Sequence, residues 1–464
     1  MDKDNQSEEE GEEKGLNEDI KQENLYEKYM QGWAELKTCP RELWFLYIVR
    51  FGINSSQFVL FTCITSYLIE VQDISESSVS IIYAIIIFLL ISLTIFISNF
   101  PDRYGLRITL IISSLAGSLY YILAIIFNNS LVHVCILILI LPIHFIFAMA
   151  GYDIGIKYYT KESCRDSAAS LGIILNYTSV ILAGVVIELV YYFGSKTHED
   201  FCYIFGYCLI CLLISSVMSL FLRQLDFNYR LEEEKNLDKA KKVSAWEHTR
   251  RVLVTKKFWR FFIVVSLIMI IKTIFYQQAI ALPLYMDRDM GDDSHFGLMI
   301  ILNQVLVIIL VPFVLFWIHY INSYTTFLVA GLIAVLAPLV FLFGGSYYTV
   351  VSHIIITSIS EGLFAPTILS YSLKVSPQGK ESVLVSISQI PYGLSILVTG
   401  ITGTLLAEAY CPEDGENKCW FMWTVMSFYA FIALMGLFLF RKCLEEPLFE
   451  HNPYIPCSKE RIFM

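Results

Sequence analysis

The chain has 464 residues, of which 56% are hydrophobic and only 16% are charged, and its formal net charge is −10. A soluble protein of this length carries about a quarter charged residues, so the composition excludes a soluble globular fold. Many apolar runs are long enough for helices that cross a bilayer, and the alternation typical of an outer-membrane barrel is missing. Because lipid offers no partners for unpaired backbone groups, the sequence predicts an all-α membrane protein.

The first 39 residues differ in composition from the rest of the chain. Residues 1–25 hold ten acidic and three basic side chains, so 10 − 3 accounts for seven of the ten net negative charges. Such a segment has too little apolar surface to offset the entropy of ordering. We therefore predict an acidic, largely disordered tail over 1–39 that contains a short surface helix.

Twelve apolar segments follow in two groups of six. The predicted spans of the first group are 43–70, 78–99, 107–127, 131–156, 167–193 and 201–222. Those of the second group are 258–286, 296–319, 323–343, 347–373, 381–408 and 419–441. This layout predicts an N-terminal half over 40–222, a linker over 223–257, a C-terminal half over 258–443 and a tail over 444–464.

Lysine and arginine are distributed unevenly between the two sets of predicted loops. One set holds most of them, including those of the 223–257 linker, and the other set holds only Lys196, Arg288 and Lys418. Cytosolic loops carry the excess of basic residues, so we expect both termini and the linker to be cytosolic. Both the plasma membrane and an endomembrane fit a multi-pass protein of this kind.

The loop between the second and third predicted spans carries a charged motif around a glycine. It reads Asp102-Arg103-Tyr-Gly105-Leu-Arg107, and it resembles the cytosolic loop motif of the major facilitator superfamily. Ser98 replaces the leading glycine of that motif, and Leu106 replaces one arginine. The resemblance covers roughly residues 40–445. It implies two six-helix halves, a tight turn at Gly105 and charges that link neighbouring helix ends in a cytosolic gate.

Within that superfamily the chain is similar to the peptide-transporter-like branch and to related protist proteins. Arg50-Phe51 matches the end of the Glu-x-x-Glu-Arg-Phe motif of that branch, although Leu46 and Val49 occupy its two glutamate positions. The proton-coupling glutamates of the peptide transporters are therefore absent. The resemblance implies a secondary active transporter that moves a small polar solute by alternating access. Coupling of this transport to protons is one form of the hypothesis.

Charged residues inside the predicted spans are costly in lipid unless they are paired, so each one requires an explanation. Arg50, Asp153, Lys272 and Glu361 lie in spans 1, 4, 7 and 10, the spans that line the central cavity in the resembling fold. We expect Lys272 and Glu361 to pair there, with Tyr276, Gln277 and Asn303 among the polar neighbours, together with Gln278 and Gln304.

Two interpretations of these charges remain open. In the first, the solute binds at Lys272 and Glu361 with their neighbours Tyr276, Gln277 and Asn303. Arg50 then meets an anionic group of the solute, and Glu361 and Asp153 carry protons. In the second, Lys272 is held permanently by Glu361 as a structural pair, and Arg50 extends to the cytosolic surface.

Two cysteines bracket a polar loop near the end of the chain. If the loop at Cys411 and Cys419 faces an oxidising compartment, we expect a disulfide between them. No cysteine or histidine spacing predicts a metal site, and transport of this kind requires no cofactor. Nothing points to nucleic acid, and the sequence leaves the oligomeric state open.

Two other classes of function are compatible with some of these features. A non-transporting sensor or a structural subunit of a membrane complex, with the same fold, remains the alternative. An intramembrane enzyme is disfavoured, because no catalytic motif lies in or beside a span.

Overall fold

The computed structural model describes residues 27, 29–97, 100–194, 197–223, 254, 256–290, 296–318, 322–375, 381–412 and 418–442, with some side chains excepted. The acidic tail up to residue 26, the linker over 224–253 and the C-terminal tail from 443 therefore lie outside the described residues. Residues 29–36 are helical, and they are called the N-terminal helix below.

In the part of the chain that the structure describes, twelve long helices lie near the predicted spans. Those of the first half are α1 (Arg41–Ser66), α2 (Glu76–Ile97), α3 (Leu106–Ile126), α4 (Ser130–Tyr159), α5 (Arg165–Phe193) and α6 (His198–Leu220). Those of the second half are α7 (Lys256–Met290), α8 (Phe296–Ile318), α9 (Ser323–Leu336), α10 (Tyr347–Val375), α11 (Glu381–Tyr410) and α12 (Cys419–Leu439).

Helix ends follow local sequence signals. The side chain of Asn129 accepts hydrogen bonds from the first backbone amides of α4, and Asn322 does the same for α9. Gly105, before α3, has a φ of 90°, a conformation that only glycine adopts freely, as the tight turn in the motif requires. α9 narrows into a 3-10 helix over Ala337–Phe343, which has Pro338 in its first turn.

The helices are suited to a membrane. Within the described residues, nine are long and apolar enough to cross one, and α2 and α8 contain shorter apolar stretches, Ile81–Thr94 and Leu298–Val314. One buried core lies within the first half and two lie within the second. Many large apolar side chains at the surface, such as Phe88 and Phe313, therefore face lipid and not water.

Alternate helices run in opposite directions, so the bundle has two faces. The end at which α1 begins and α6 ends is called the linker face, and the other end is called the opposite face. The two halves meet where α5 packs on α8 and α10, and where α11 packs on α2 and α4. These contacts position the site described next.

Candidate functional site

A cavity of about 1370 Å³ lies between the two halves. Its walls come from both halves, chiefly from α1, α2, α4 and α5 on one side and from α7, α8 and α11 on the other. Glu188, Arg288 and Glu408 line it near the opposite face, whereas Glu361 lines it midway along α10. The cavity lining therefore runs from the opposite face past the level of Glu361, and along α2 it reaches Thr94, three residues before the linker-face end of that helix.

Glu361 lines this cavity midway along α10 and connects the two halves. Its Oε1 accepts a hydrogen bond of 2.7 Å from the hydroxyl of Tyr177 on α5, and its Oε2 accepts one of 3.2 Å from Asn303 on α8. Asn303 in turn accepts a bond of 2.6 Å from the hydroxyl of Ser358, one turn away from Glu361 on α10. A carboxylate with two donors is stabilised in this apolar setting.

Lys272 approaches the same carboxylate from α7. Its ammonium group lies 5.9 Å from the centre of the Tyr276 ring, and its charge acts on Glu361. The Tyr276 ring packs edge-on against Tyr392 of α11, with 5.8 Å between the ring centres. The structure thus brings Lys272, Tyr276, Asn303 and Glu361 together, while the direct hydrogen bonds of Glu361 come from Tyr177 and Asn303.

The two glutamines after Tyr276 face different neighbours. Gln277 is buried against α11, where its amide donates to the carbonyl of Thr399 over 3.2 Å and to the hydroxyl of Thr402 over 3.1 Å. Gln278 donates to Thr357 of α10 and lines the cavity, as does Gln304 of α8. Gln277 therefore lies at the α7–α11 contact, and Gln278 lies at the cavity wall.

Arg50 lies closer to the linker face than Glu361 does. Its Nε donates to the side-chain oxygen of Asn176 over 3.3 Å, and its guanidinium stands 4.7 Å above the centre of the Tyr152 ring. Its Nη1 is buried without a hydrogen-bond partner among the described residues. Arg50 also acts electrostatically on Tyr392, which lines the cavity. The guanidinium thus retains an unused donor beneath the cavity.

A glycine allows the close approach that holds Tyr152 under Arg50. A Cβ atom on Gly172 of α5 would lie 2.1 Å from the Tyr152 hydroxyl, far inside contact distance. Any larger residue at this position would displace the ring. The cation–π contact of Arg50 consequently depends on the glycine at 172.

Apolar side chains close the space between Glu361 and the linker face. Ile173 of α5 packs against Val307 and Val311 of α8, and both valines are fully buried. Ile174, Tyr177 and Ala365 complete this cluster, which is called the linker-side seal below. It joins α5, α8 and α10 across the boundary between the halves, and on this side the cavity lining ends at Glu361.

The charged loop motif is described in part. Residues Phe100–Tyr104 form a short helix, Gly105 makes the turn described above, and the Arg107 side chain is exposed on the linker face. The side chains of Asp102, Arg103 and Asp153 lie outside the described residues. Their roles in the gate and in proton coupling remain predictions.

Cys411 and Cys419 form a disulfide at the opposite face, with their Cα atoms 4.7 Å apart. The carbonyl oxygen of Cys411 accepts a hydrogen bond of 2.8 Å from Arg288, which lies at the end of α7. The bridge therefore connects the end of α11 to the start of α12 beside the mouth of the cavity. Among the described residues, no cluster of histidine, cysteine and carboxylate side chains has a metal-site geometry.

The sequence interpretation did not single out Tyr177, Asn176 or Tyr392. Asn176-Tyr-Thr178 is a run of polar residues in the middle of an apolar span, and this was the available signal. Polar residues at membrane depth usually face the interior of the bundle. By that rule, the polar residues of α5 are expected to face the interior of the bundle.

Comparison with protein-family models gives one match. Residues 160–375 match the model of the MFS/sugar transport protein family. The matched stretch runs from the loop before α5 to the end of α10, so it contains the linker-side seal and Glu361. A comparison with curated proteins found no match.

Together with the long apolar helices, this match confirms the predicted all-helical, multi-pass membrane fold of the major-facilitator type, and the matched family is one of transporters. The match supports secondary transmembrane transport of a small-molecule solute. The match does not specify a branch, so similarity to the peptide-transporter-like proteins stays a prediction.

Proposed function

We propose that the protein transports a small polar solute with a charged group by alternating access, and that the state described here is open to the opposite face. The observation that carries this proposal is the position of Glu361. Its carboxylate lines the cavity beside the linker-side seal, and it accepts hydrogen bonds from one residue of each half. A solute group that binds to Glu361 therefore alters the hydrogen bond that joins the two halves.

Glu361 is the proposed coupling residue. Ionised, it accepts the bonds from Tyr177 and Asn303 and compensates the charge of Lys272. When it takes up a proton or meets a cationic group of the solute, these bonds weaken, because a neutral carboxyl is a poorer acceptor than a carboxylate. The link between α5 and α10 then loosens, which favours separation of the halves on the linker side. Asp153 remains a second proposed proton carrier.

Arg50 is the proposed partner of an anionic group of the solute. Its buried Nη1 has an unused donor, and an unsatisfied charge in a low-dielectric setting is costly. In the present state the residue is beneath the cavity. We expect it to meet the solute after the linker-side seal opens, when the space on that side is hydrated.

The orientation of the protein in the membrane is also part of the proposal. The linker face carries the excess of basic residues and is proposed to be cytosolic, in the plasma membrane or an endomembrane. Solute would then enter from the non-cytosolic side in the state described here. Reagents that cannot cross membranes test this assignment, since they reach exposed Lys418 from outside and exposed Lys161 only from inside.

Transport is tested with purified protein in vesicles. A thermal-shift screen of amino acids, short peptides, sugars and organic anions first identifies a stabilising class, and uptake and counterflow of that class are then measured. We expect Glu361→Gln to abolish gradient-driven uptake and to spare counterflow. Glu408→Gln is the matched control, because Glu408 lines the same cavity but is exposed near its mouth.

Two results would contradict the proposal. Driven uptake that survives in Glu361→Gln removes the coupling role. Stabilisation by a solute without any flux in the unmodified protein favours the sensor or structural-subunit alternative over a carrier.

A further inference from the structure

Two free cysteines meet at the linker face, although 125 residues separate them in sequence. The sulfur atoms of Cys39 and Cys164 lie 3.5 Å apart, within hydrogen-bonding distance. Cys39 precedes Pro40, at which α1 starts, and is partly exposed, whereas Cys164 is the buried N-cap residue of α5. Both are outside the membrane-spanning helices.

The setting favours reaction between the two sulfurs. The hydrogen bond with Cys39 lowers the pKa of the Cys164 thiol, and that same bond together with burial raises the pKa of Cys39. The N-terminus of a helix also stabilises a thiolate. The helix N-terminus therefore favours the thiolate at Cys164, whereas Cys39, which is partly exposed, is the sulfur that reagents reach.

The N-terminal helix ends just before this pair and lies across the boundary between the halves. Glu35 accepts hydrogen bonds from Ser163, next to Cys164, and from Gln31 in the same helix. At the other end, the hydroxyl of Tyr29 donates to the carbonyl of Pro312 on α8 over 3.4 Å. The helix is thus attached to the first half and touches the second half beside the linker-side seal.

We propose that Cys39 and Cys164 form a reversible disulfide under peroxide, and that this bond fixes the N-terminal helix across the two halves. Hydrogen peroxide first transfers one oxygen to the accessible Cys39 thiol, which becomes a sulfenic acid while water leaves. The Cys164 sulfur then attacks the Cys39 sulfur. The S–O bond breaks, the S–S bond forms, and the hydroxyl departs as a second water with the Cys164 proton.

The distribution of cysteines between the faces agrees with a reversible bond. The pair at the opposite face, Cys411 and Cys419, is already a disulfide, whereas the pair at the linker face is reduced. Disulfides in reducing compartments are transient and regulatory, whereas those in oxidising compartments persist. A linker face in the cytosol would keep Cys39 and Cys164 reduced until an oxidant appears.

The experiment measures the bond without relying on transport. The purified full-length chain is treated with hydrogen peroxide, its remaining thiols are blocked with N-ethylmaleimide, and proteolytic peptides are identified by mass spectrometry. We expect the loss of two reactive thiols and a peptide pair joined through Cys39 and Cys164, both reversed by dithiothreitol. Cys39→Ser and Cys164→Ser must each eliminate the joined pair. Cys135→Ser, which removes an exposed free cysteine of α4, is the matched control and must retain it.

A second measurement tests the effect on the N-terminal helix. We expect peroxide to suppress protease cleavage within residues 29–36 in the unmodified protein and in Cys135→Ser, but not in Cys39→Ser. Oxidation of Cys39 to a sulfinic acid without the joined peptide would overturn the disulfide. A joined peptide with unchanged cleavage of the N-terminal helix would overturn the proposed fixation of that helix.

Discussion

The linker-side seal offers the sharpest test of the proposed alternating-access mechanism. Val307 of α8 is fully buried against Ile173 and its neighbours in the state described here. Val307→Ala removes two methyl-sized groups from this contact, and each is worth about 0.8 kcal/mol when buried from water. The substitution should therefore cost the closed linker side about 1.6 kcal/mol relative to a hydrated open state. That difference corresponds to about a fifteen-fold shift in the equilibrium.

The shift is measured as a distance between the halves at the linker face. Spin labels are placed at Lys161 and Lys442, two exposed residues on different halves, with every cysteine outside the Cys411–Cys419 disulfide replaced. We expect Val307→Ala to enlarge the population with the longer label-to-label distance.

The control for this measurement lies on the same helix. Val305→Ala makes the same chemical change at a side chain that is 39% exposed, and we expect it to leave the distances unchanged. Equal distance distributions for Val307→Ala and the unmodified protein would refute the assignment of these contacts as the closing element.

Three further predictions concern local features. The hydrogen bond from Ser163, and then that from Gln31, lower the pKa of Glu35. The Glu35 carboxylate therefore stabilises docking of the N-terminal helix above its ordinary pKa, and this stabilisation is lost as the pH falls through the lowered pKa. Protease cleavage within 29–36 should consequently rise below about pH 4.5. Glu35→Gln should remove that dependence on pH. Gly105→Ala should cost about 1–3 kcal/mol, seen as a lower unfolding temperature, because a side chain strains the backbone at a φ of 90° and a ψ of 156°. Reducing the bridge between Cys411 and Cys419, eight residues apart, should destabilise the protein by about 2.5 kcal/mol in chemical denaturation.

Each of these three has a result that would contradict it. Cleavage of the N-terminal helix that is independent of pH in the unmodified protein would exclude a role for the Glu35 carboxylate. An unchanged unfolding temperature for Gly105→Ala would show that the turn relaxes without strain. Equal stability before and after reduction would show that the bridged loop is already restricted in the unfolded chain.

The sequence alone determined the elements that depend on local chemistry. Hydropathy located all twelve helices within a few residues, since transfer into lipid is a property of each segment by itself. Gly105 before α3 is a local requirement of the same kind. So is the proximity of Cys411 and Cys419, because only a short loop separates them. Charged residues such as Glu361 and Lys272 are recognisable from the sequence, because an unpaired charge at membrane depth has a high free-energy cost on any face of a helix.

Tertiary packing sets which faces of the helices meet. Several helices are apolar all around, so their sequences do not fix their rotation, and packing against neighbours sets it. Packing therefore turned Gln277 toward α11 and gave Glu361 a partner, Tyr177, from the other half of the chain. It also brought together Cys39 and Cys164, whose contact no local pattern predicts. Residues that are distant in sequence become neighbours only when the helices pack, and the chemistry of the site depends on these contacts.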